Sequence, residues 1–226
     1  MHSVLGEKVT MPVEIRDADA ASAMFLADAG AARKILSGMA LEPVVVAGRA
    51  ICSLAFVRYI DGDLGPYHEF AFALLVRRPG DRSSTGVYIP WLPVNQSFTC
   101  AAGREIWGFP KEIADIRITR CGPGKRCEVR LDGRLVVAVQ THGGIPTPSR
   151  FGGASIAAYT RLDGKLHSTA WVMNPSDVRM RLGGASVELG DHPAAEQMRS
   201  LGLPRRSLFT SQIGALRMTF EDAREI

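Results

Sequence analysis

Two Asp-Gly pairs constrain this chain more than any other feature. Asp132-Gly133 separates EVRL from RLVVAV, and Asp163-Gly164 separates IAAYTRL from KLHSTAWV. Each pair lies between strand-forming runs, and a tight Asp-Gly turn with positive φ joins neighbouring antiparallel strands. A third pair, Asp61-Gly62, follows the apolar run Pro43–Ile60 and precedes Tyr67–Val76. Connections this short force the strands they join to run antiparallel. Gly86–Pro90, Ile113–Arg120, Val178–Leu189 and Leu208–Phe220 read as further strands. Ala18–Ser37 reads as an Ala-rich helix carrying Leu26, Ile35 and Leu36, capped by Asp17 or Asp19 and stopped at Gly38. Pro193–Leu201 reads as a shorter helix with Asp191 as its cap, and Thr99–Trp107 as a third, ended before Gly108 and Pro110. The implied fold class is α+β, mainly antiparallel β: a closed or nearly closed β-barrel with a few flanking helices, in a single domain over residues 1–226.

Composition narrows the function classes. The chain has 226 residues, 46% apolar and 22% charged, enough for a substantial core. No apolar stretch approaches the roughly 20 residues of a membrane-crossing helix. MHSVLGEKVTMPVEIRD lacks the apolar core of a signal peptide, so a cytoplasmic protein is expected. The net charge of +4 is dispersed with acids throughout. That pattern argues against nucleic-acid binding, which concentrates positive charge. Cys52, Cys100, Cys121 and Cys127 show no CxxC and no zinc spacing, so reduced thiols and no metal are expected. Cofactor motifs are missing too: there is no GxGxxG after a strand, and Gly122-Pro123-Gly124-Lys125 reads as a hairpin tip. The five histidines are scattered, and only His68, beside Glu69, neighbours a candidate site residue.

One segment carries potential chemistry: Gly103-Arg104-Glu105-Ile106-Trp107-Gly108-Phe109-Pro110-Lys111-Glu112. Lys111 follows two large aromatics and a proline in a chain with only five lysines against twenty-two arginines. Arginine serves a solvated or ion-paired position equally well and stays protonated at any accessible pH. Lysine can shed its proton and act as an amine nucleophile, most readily where apolar walls disfavour the ammonium. Taken alone, the segment reads first as a snorkelling lysine beside aromatics. Trp107 and Tyr67 fit either a core or a pocket wall. Arg104 and Glu105 read as an ion pair that sets the loop, and Gly108 as a backbone requirement.

GREIWGFPKE resembles the signature of the acetoacetate decarboxylase family, a Gly-Arg-Glu followed by aromatic-Pro-Lys. Gly65-Pro66-Tyr67-His68-Glu69 resembles that family's Tyr-x-Glu strand. Residues 27–36 (ADAGAARKIL) resemble its early helix, and residues 183–193 (GGASVELGDHP) its C-terminal portion. The resemblance spans nearly the whole chain in order. It implies a β-rich, barrel-like fold, homo-oligomers, no cofactor and a Schiff-base lysine in the interior. Acetoacetate decarboxylases are themselves the standard instance of a lysine activated by desolvation or a neighbouring cation. By position, Lys111 matches the reactive lysine and Glu69 an active-site glutamate. Trp107, Phe109 and Tyr67 would line the substrate pocket, and Arg16 would meet the substrate carboxylate.

The implied chemistry is that of a lyase acting on a small keto acid, its only expected partner beyond copies of itself. Lys111 would form an iminium with the ketone, the β-carboxylate would leave as carbon dioxide, and Glu69 would move protons. The same enamine attacking an aldehyde would make the chain an aldolase or dehydratase for pyruvate-like acids. A non-catalytic organic-acid binder is the remaining alternative. Two departures bear on these readings. Glu112 stands where the decarboxylases carry a second lysine, and Ala50–Val57 holds no counterpart of a further upstream glutamate. In an extended segment Glu112 and Lys111 would face opposite ways.

Overall fold

The structure, a computed structural model, describes residues 1–147 and 153–226. Its long strands are β1 (Val13–Asp28), β2 (Arg49–Gly62), β3 (Tyr67–Arg77) and β4 (Gly86–Val94), with helix α1 (Ala29–Ile35) after β1. Helix α2 (Ser97–Trp107) leads into the short β5 (Lys111–Ile113), followed by β6 (Asp115–Cys121), β7 (Gly124–Leu131) and β8 (Arg134–Thr141). The chain ends with β9 (Ala154–Leu162), β10 (Lys165–Leu182), β11 (Ala185–Leu189), helix α3 (Pro193–Ser200) and β12 (Phe209–Phe220).

The main sheet closes on itself. Hydrogen-bonded neighbours run β3, β2, β1, β12, β10, β9, β4 and back to β3, a ring of seven strands among the described residues. Six of these pairings are antiparallel. The β4–β9 pairing is parallel, as is the pairing of β5 with β4. Strands β6, β7, β8 and β11 form a separate antiparallel sheet. Closure leaves the ring no long unpaired edge to recruit another strand.

Period-two alternation divides the interior into two packed layers. One face of the ring buries Phe25, Leu54, Phe56, Phe70, Phe72 and Trp91 with Val129 and Val137 of the second sheet and Met198 of α3. The other buries Ile15, Tyr59, Tyr67, Leu92, Val94, Phe109 and Phe220 against Ile106 and Trp107 at the end of α2. No helix is long and apolar enough to cross a membrane among the described residues.

The Asp-Gly pairs behave as their chemistry dictates at two of three positions. Asp132 and Gly133 have φ of 48° and 75°, and Asp163 and Gly164 have 51° and 78°, each pair closing a two-residue hairpin. Asp61 and Gly62 instead remain within β2, and the turn to β3 falls at Asp63–Pro66, where Gly65 takes φ of 75°. Gly122 and Pro123 form the tip joining β6 to β7.

Several expected elements differ. Ala18–Ser37 is not one helix: Ala18–Asp28 is strand, and only Ala29–Ile35 is helical, capped by the Asp28 carboxylate. Alanine favours helix by only a few tenths of a kcal/mol per residue over most competitors. β1 lies between β2 and β12, with ladders on both sides, and Ala21, Ala23, Phe25 and Ala27 alternate into one buried layer. The cap of α3 is His192, whose ring nitrogen accepts from the Ala194 N–H, rather than Asp191. Ile113–Arg120 breaks at Ala114, where the chain leaves the ring for the second sheet. Val178–Leu189 breaks at Gly183-Gly184, with φ of 66° and 83°.

Gly108 ends α2 in the left-handed region, φ 69°, with its N–H on the Arg104 carbonyl. A Cβ there would lie 2.8 Å from the Arg161 carbonyl oxygen and 3.1 Å from Leu162 Cβ. Gly108→Ala should therefore cost about 1–3 kcal/mol of stability, measured as a lower midpoint in urea unfolding at unchanged m-value.

Candidate active site

Lys111 owes its position to the way α2 ends. The Phe109 N–H bonds the Gly103 carbonyl, and the Lys111 N–H bonds the Phe109 carbonyl at 2.8 Å, doubling the chain back alongside the helix. Arg104 Nε then donates to the Lys111 carbonyl at 2.5 Å. The Lys111 stem passes over Gly103: a Cβ on that glycine would lie 2.5 Å from Lys111 Cδ and 2.6 Å from Cε. GREIWGFPKE is thus one structural unit, in which the glycine makes room, the arginine clamps and the Gly-Phe-Pro turn delivers the lysine. Arg104 and Glu105 form no ion pair among the described residues; both are exposed, and Arg104 serves the Lys111 backbone.

Alternation in β4 and β5 decides which way each side chain faces. Lys111 pairs with Leu92 and Glu112 with Pro93 in the parallel ladder. Lys111 enters the α2-side layer at 5% exposure, while Glu112 accepts a hydrogen bond from Trp91 Nε1, whose ring packs in the opposite layer. The adjacent carboxylate is therefore separated from the amine by the sheet itself.

Lys111 Nζ lies 2.7 Å from Glu69 Oε2, and Glu69 is 7% exposed. Nζ also donates to Thr99 Oγ1 at 3.3 Å and stands 5.3 Å from the centre of the Tyr67 ring. Tyr59 donates its hydroxyl to Glu69 Oε1 at 2.9 Å and stacks on Tyr67 with ring centres 4.2 Å apart. Burial, reinforced by the Glu69 charge, pushes both phenols well above their ordinary range, so each keeps its proton. A cavity of about 20 Å³, room for one water molecule, opens beside the pair. Leu64, Leu92, Trp107, Phe109, Trp171 and Phe220 complete its walls. The aromatic rings interlock: Phe109 lies 5.6 Å and Phe220 5.5 Å from Trp171, and Trp107 Nε1 is tied to the Glu221 carbonyl at 2.8 Å.

The structure thus brings together Lys111, Glu69, Tyr67, Trp107 and Phe109. It does not bring Arg16, whose guanidinium is held at the exposed end of β1 by Asp61 at 2.9 Å and Asp63 at 2.7 Å. His68 faces away from Glu69 along β3 and reaches the Ile116 carbonyl. Sequence reasoning missed Thr99, Tyr59, Gly103 and Trp171. Thr99 and Gly103 are four apart on α2 and so share a face. Tyr59 sits directly across from Tyr67 in the β2–β3 ladder, a register hidden by placing the turn at Asp61-Gly62. Among the described residues, no three His, Cys, Asp or Glu side chains gather as a metal site.

The model of the acetoacetate decarboxylase family matches residues 5–220. The chain belongs to this family. Its fold is similar to that of an acetoacetate decarboxylase at TM-score 0.73 and 16% identity, covering 96% of this chain and 90% of that one. The acetoacetate decarboxylase of Legionella pneumophila is similar at TM-score 0.70 and 17% identity, with 95% and 87% covered. The enduracididine biosynthesis enzyme MppR, in complex with pyruvate, is similar at TM-score 0.74 and 17% identity, with 98% and 93% covered. A search of curated proteins finds no relative.

The buried phenols give a signed pH dependence. Unfolded tyrosines ionise near 10.0, whereas Tyr59 and Tyr67 hold their protons in the fold. Above that pH the unfolded chain binds fewer protons, so stability should fall as pH rises. Ultraviolet titration should show these two phenols ionising only together with unfolding.

Proposed function

We propose that this protein is a Schiff-base lyase that decarboxylates a small β-keto acid, with Lys111 as nucleophile and Glu69 as proton carrier. The observation that carries the reading is the Lys111–Glu69 pair, 2.7 Å apart in an apolar cavity, with Glu112 turned to the opposite layer. Passing the proton from Nζ to Oε2 turns an ion pair into an amine and a carboxylic acid. The transfer needs no third group, because the two atoms already lie within hydrogen-bond distance. The free amine adds to the ketone carbon, and loss of water leaves an iminium. The bond to the carboxylate carbon breaks, carbon dioxide departs, and its electron pair flows into the iminium to give an enamine. Glu69, whose first proton leaves with the water, takes up another from solvent and gives it to the enamine carbon, and water hydrolyses the resulting iminium. Tyr59, held neutral, steadies Glu69 through both proton states. The cavity's size means that the aromatic wall must part to admit a keto acid.

A second reading rests on the similarity to the enzyme crystallised with pyruvate. There the enamine of a pyruvate-like acid attacks an aldehyde, and the chain is an aldolase or dehydratase.

Borohydride trapping separates these readings. Acetoacetate with borohydride should add the reduced adduct at Lys111 and, without borohydride, release carbon dioxide; Lys111→Arg should do neither. An adduct from pyruvate together with an aldol product would favour the second reading. A folded protein that gives no adduct with any keto acid would be a binder rather than an enzyme.

Gly103→Ala tests the room that the lysine stem needs. Alanine gains about 0.5–1 kcal/mol of helix propensity, which offsets local crowding, so stability should change by less than about 1 kcal/mol. The displaced amine should be trapped at least about ten-fold more slowly, a loss of roughly 1.4 kcal/mol in transition-state stabilisation.

A further inference from the structure

Among the described residues, four buried side-chain polar atoms have no hydrogen-bond partner: Arg49 Nε, Thr160 Oγ1, Thr169 Oγ1 and Trp171 Nε1. Native proteins leave few such atoms unpaired, and each costs stability unless something satisfies it. Arg49 starts β2. The other three share the β9–β10 hairpin: Thr169 and Trp171 are neighbours on one face, and Thr160 lies farther along the same face, four ladder positions from Trp171. Thr169 is opposite Ala158, Trp171 is opposite Ile156, and Thr160 is opposite His167. Residues two apart along a strand face the same way, so Thr160, Thr169 and Trp171 occupy one face. That face carries Ala158 and Trp171 into the same layer as Phe109, Phe220 and Leu92. Thr160 is 3% exposed and Thr169 0%. Trp171 itself lines the cavity that holds Lys111 and Glu69.

We infer that this face is a specificity subsite for an uncharged oxygen function, a hydroxyl or carbonyl, on the far end of the keto acid. The inference rests on the reading of Lys111 as the imine-forming residue. An indole N–H donates only, and a threonine hydroxyl both donates and accepts, so together they match a hydroxyl that must do both. None of the three bears a charge. A buried carboxylate in their place would call for a cationic partner, and none of the cavity-lining residues other than Lys111 supplies one. The ketone carbon is committed to Lys111, which leaves the opposite end of the substrate to meet Trp171. An alkyl end would leave the indole N–H unpaired. A hydroxylated end would satisfy it, and a site built for a hydrogen bond discriminates strongly against the analogue that lacks it.

Acetoacetate and γ-hydroxyacetoacetate differ only by that hydroxyl. Rapid-mixing titration, read before turnover, should show wild-type protein preferring the hydroxylated acid by about ten-fold. Thr169→Val keeps the volume and removes the polar atom, while Trp171→Phe removes the indole N–H together with part of the ring; each should shrink the preference toward unity. In the ligand-free protein the melting temperature of Thr169→Val should stay level or rise, because an unpaired polar atom has been removed. Equal affinity for the two acids in wild type, a preference that survives in both variants, or a fall of several degrees in the melting temperature of Thr169→Val would overturn the subsite. The last two would show that water or protein already satisfies these atoms. A hydroxyl preference without any adduct would leave the subsite standing and remove Lys111 as an imine former; an adduct without the preference would do the reverse.

Discussion

A lysine amine and a glutamate carboxylate facing each other across 2.7 Å, with aromatic rings on nearly every other side, set the terms for the rest of the cavity. Neither partner can be buried alone: an uncompensated charge in such a place costs about 3–5 kcal/mol. The surrounding structure therefore holds both at once. Glu69 is fixed by β3 and by the Tyr59 hydroxyl, and Lys111 by the turn after α2, the Arg104 clamp and the Thr99 hydroxyl. The two elements meet through β4, which pairs with β3 on one side and β5 on the other. Closure of the ring makes that meeting rigid, since β4 is also paired with β9 and cannot drift from the wall that carries Trp171.

What could be read in the sequence follows from how local each cause is. Two of the Asp-Gly hairpins depend on the φ preferences of two residues and their flanks, and they formed as expected. Gly108 as a helix stop is equally local. The Ala18–Ser37 segment failed because its strand state is imposed by two partners, β2 and β12, far away in sequence; alanine content indicated helix, while the buried positions at 21, 23, 25 and 27 follow a strand period. The candidate site divides in the same way. Lys111 stands out by composition and by the signature around it. Trp171 and Tyr59 enter only through registers between strands, which no local pattern reveals. Arg16 shows the converse error, because its charge suggested a carboxylate partner and it found two within its own protein, Asp61 and Asp63.

The substitution of Glu112 for a second lysine looks like a direct threat to an amine nucleophile when read along the sequence. In the fold its consequence is small. Position 112 pairs with Pro93 and faces the layer that holds Trp91, so a side chain of either sign there is directed away from the cavity. The Trp91 indole gives the carboxylate a donor, which accounts for an acid being tolerated beside a buried core. A neighbouring ammonium at this position would face the same way and could not act on Nζ by direct contact. Control of the amine's proton then falls to groups inside the cavity, and among the residues lining it Glu69 is the sole carboxylate. A carboxylate that both pairs with the ammonium and can accept its proton retains the charge balance of the cavity in either state. The proposed imine chemistry would thereby be tied to exchange within one pair rather than to repulsion between two cations.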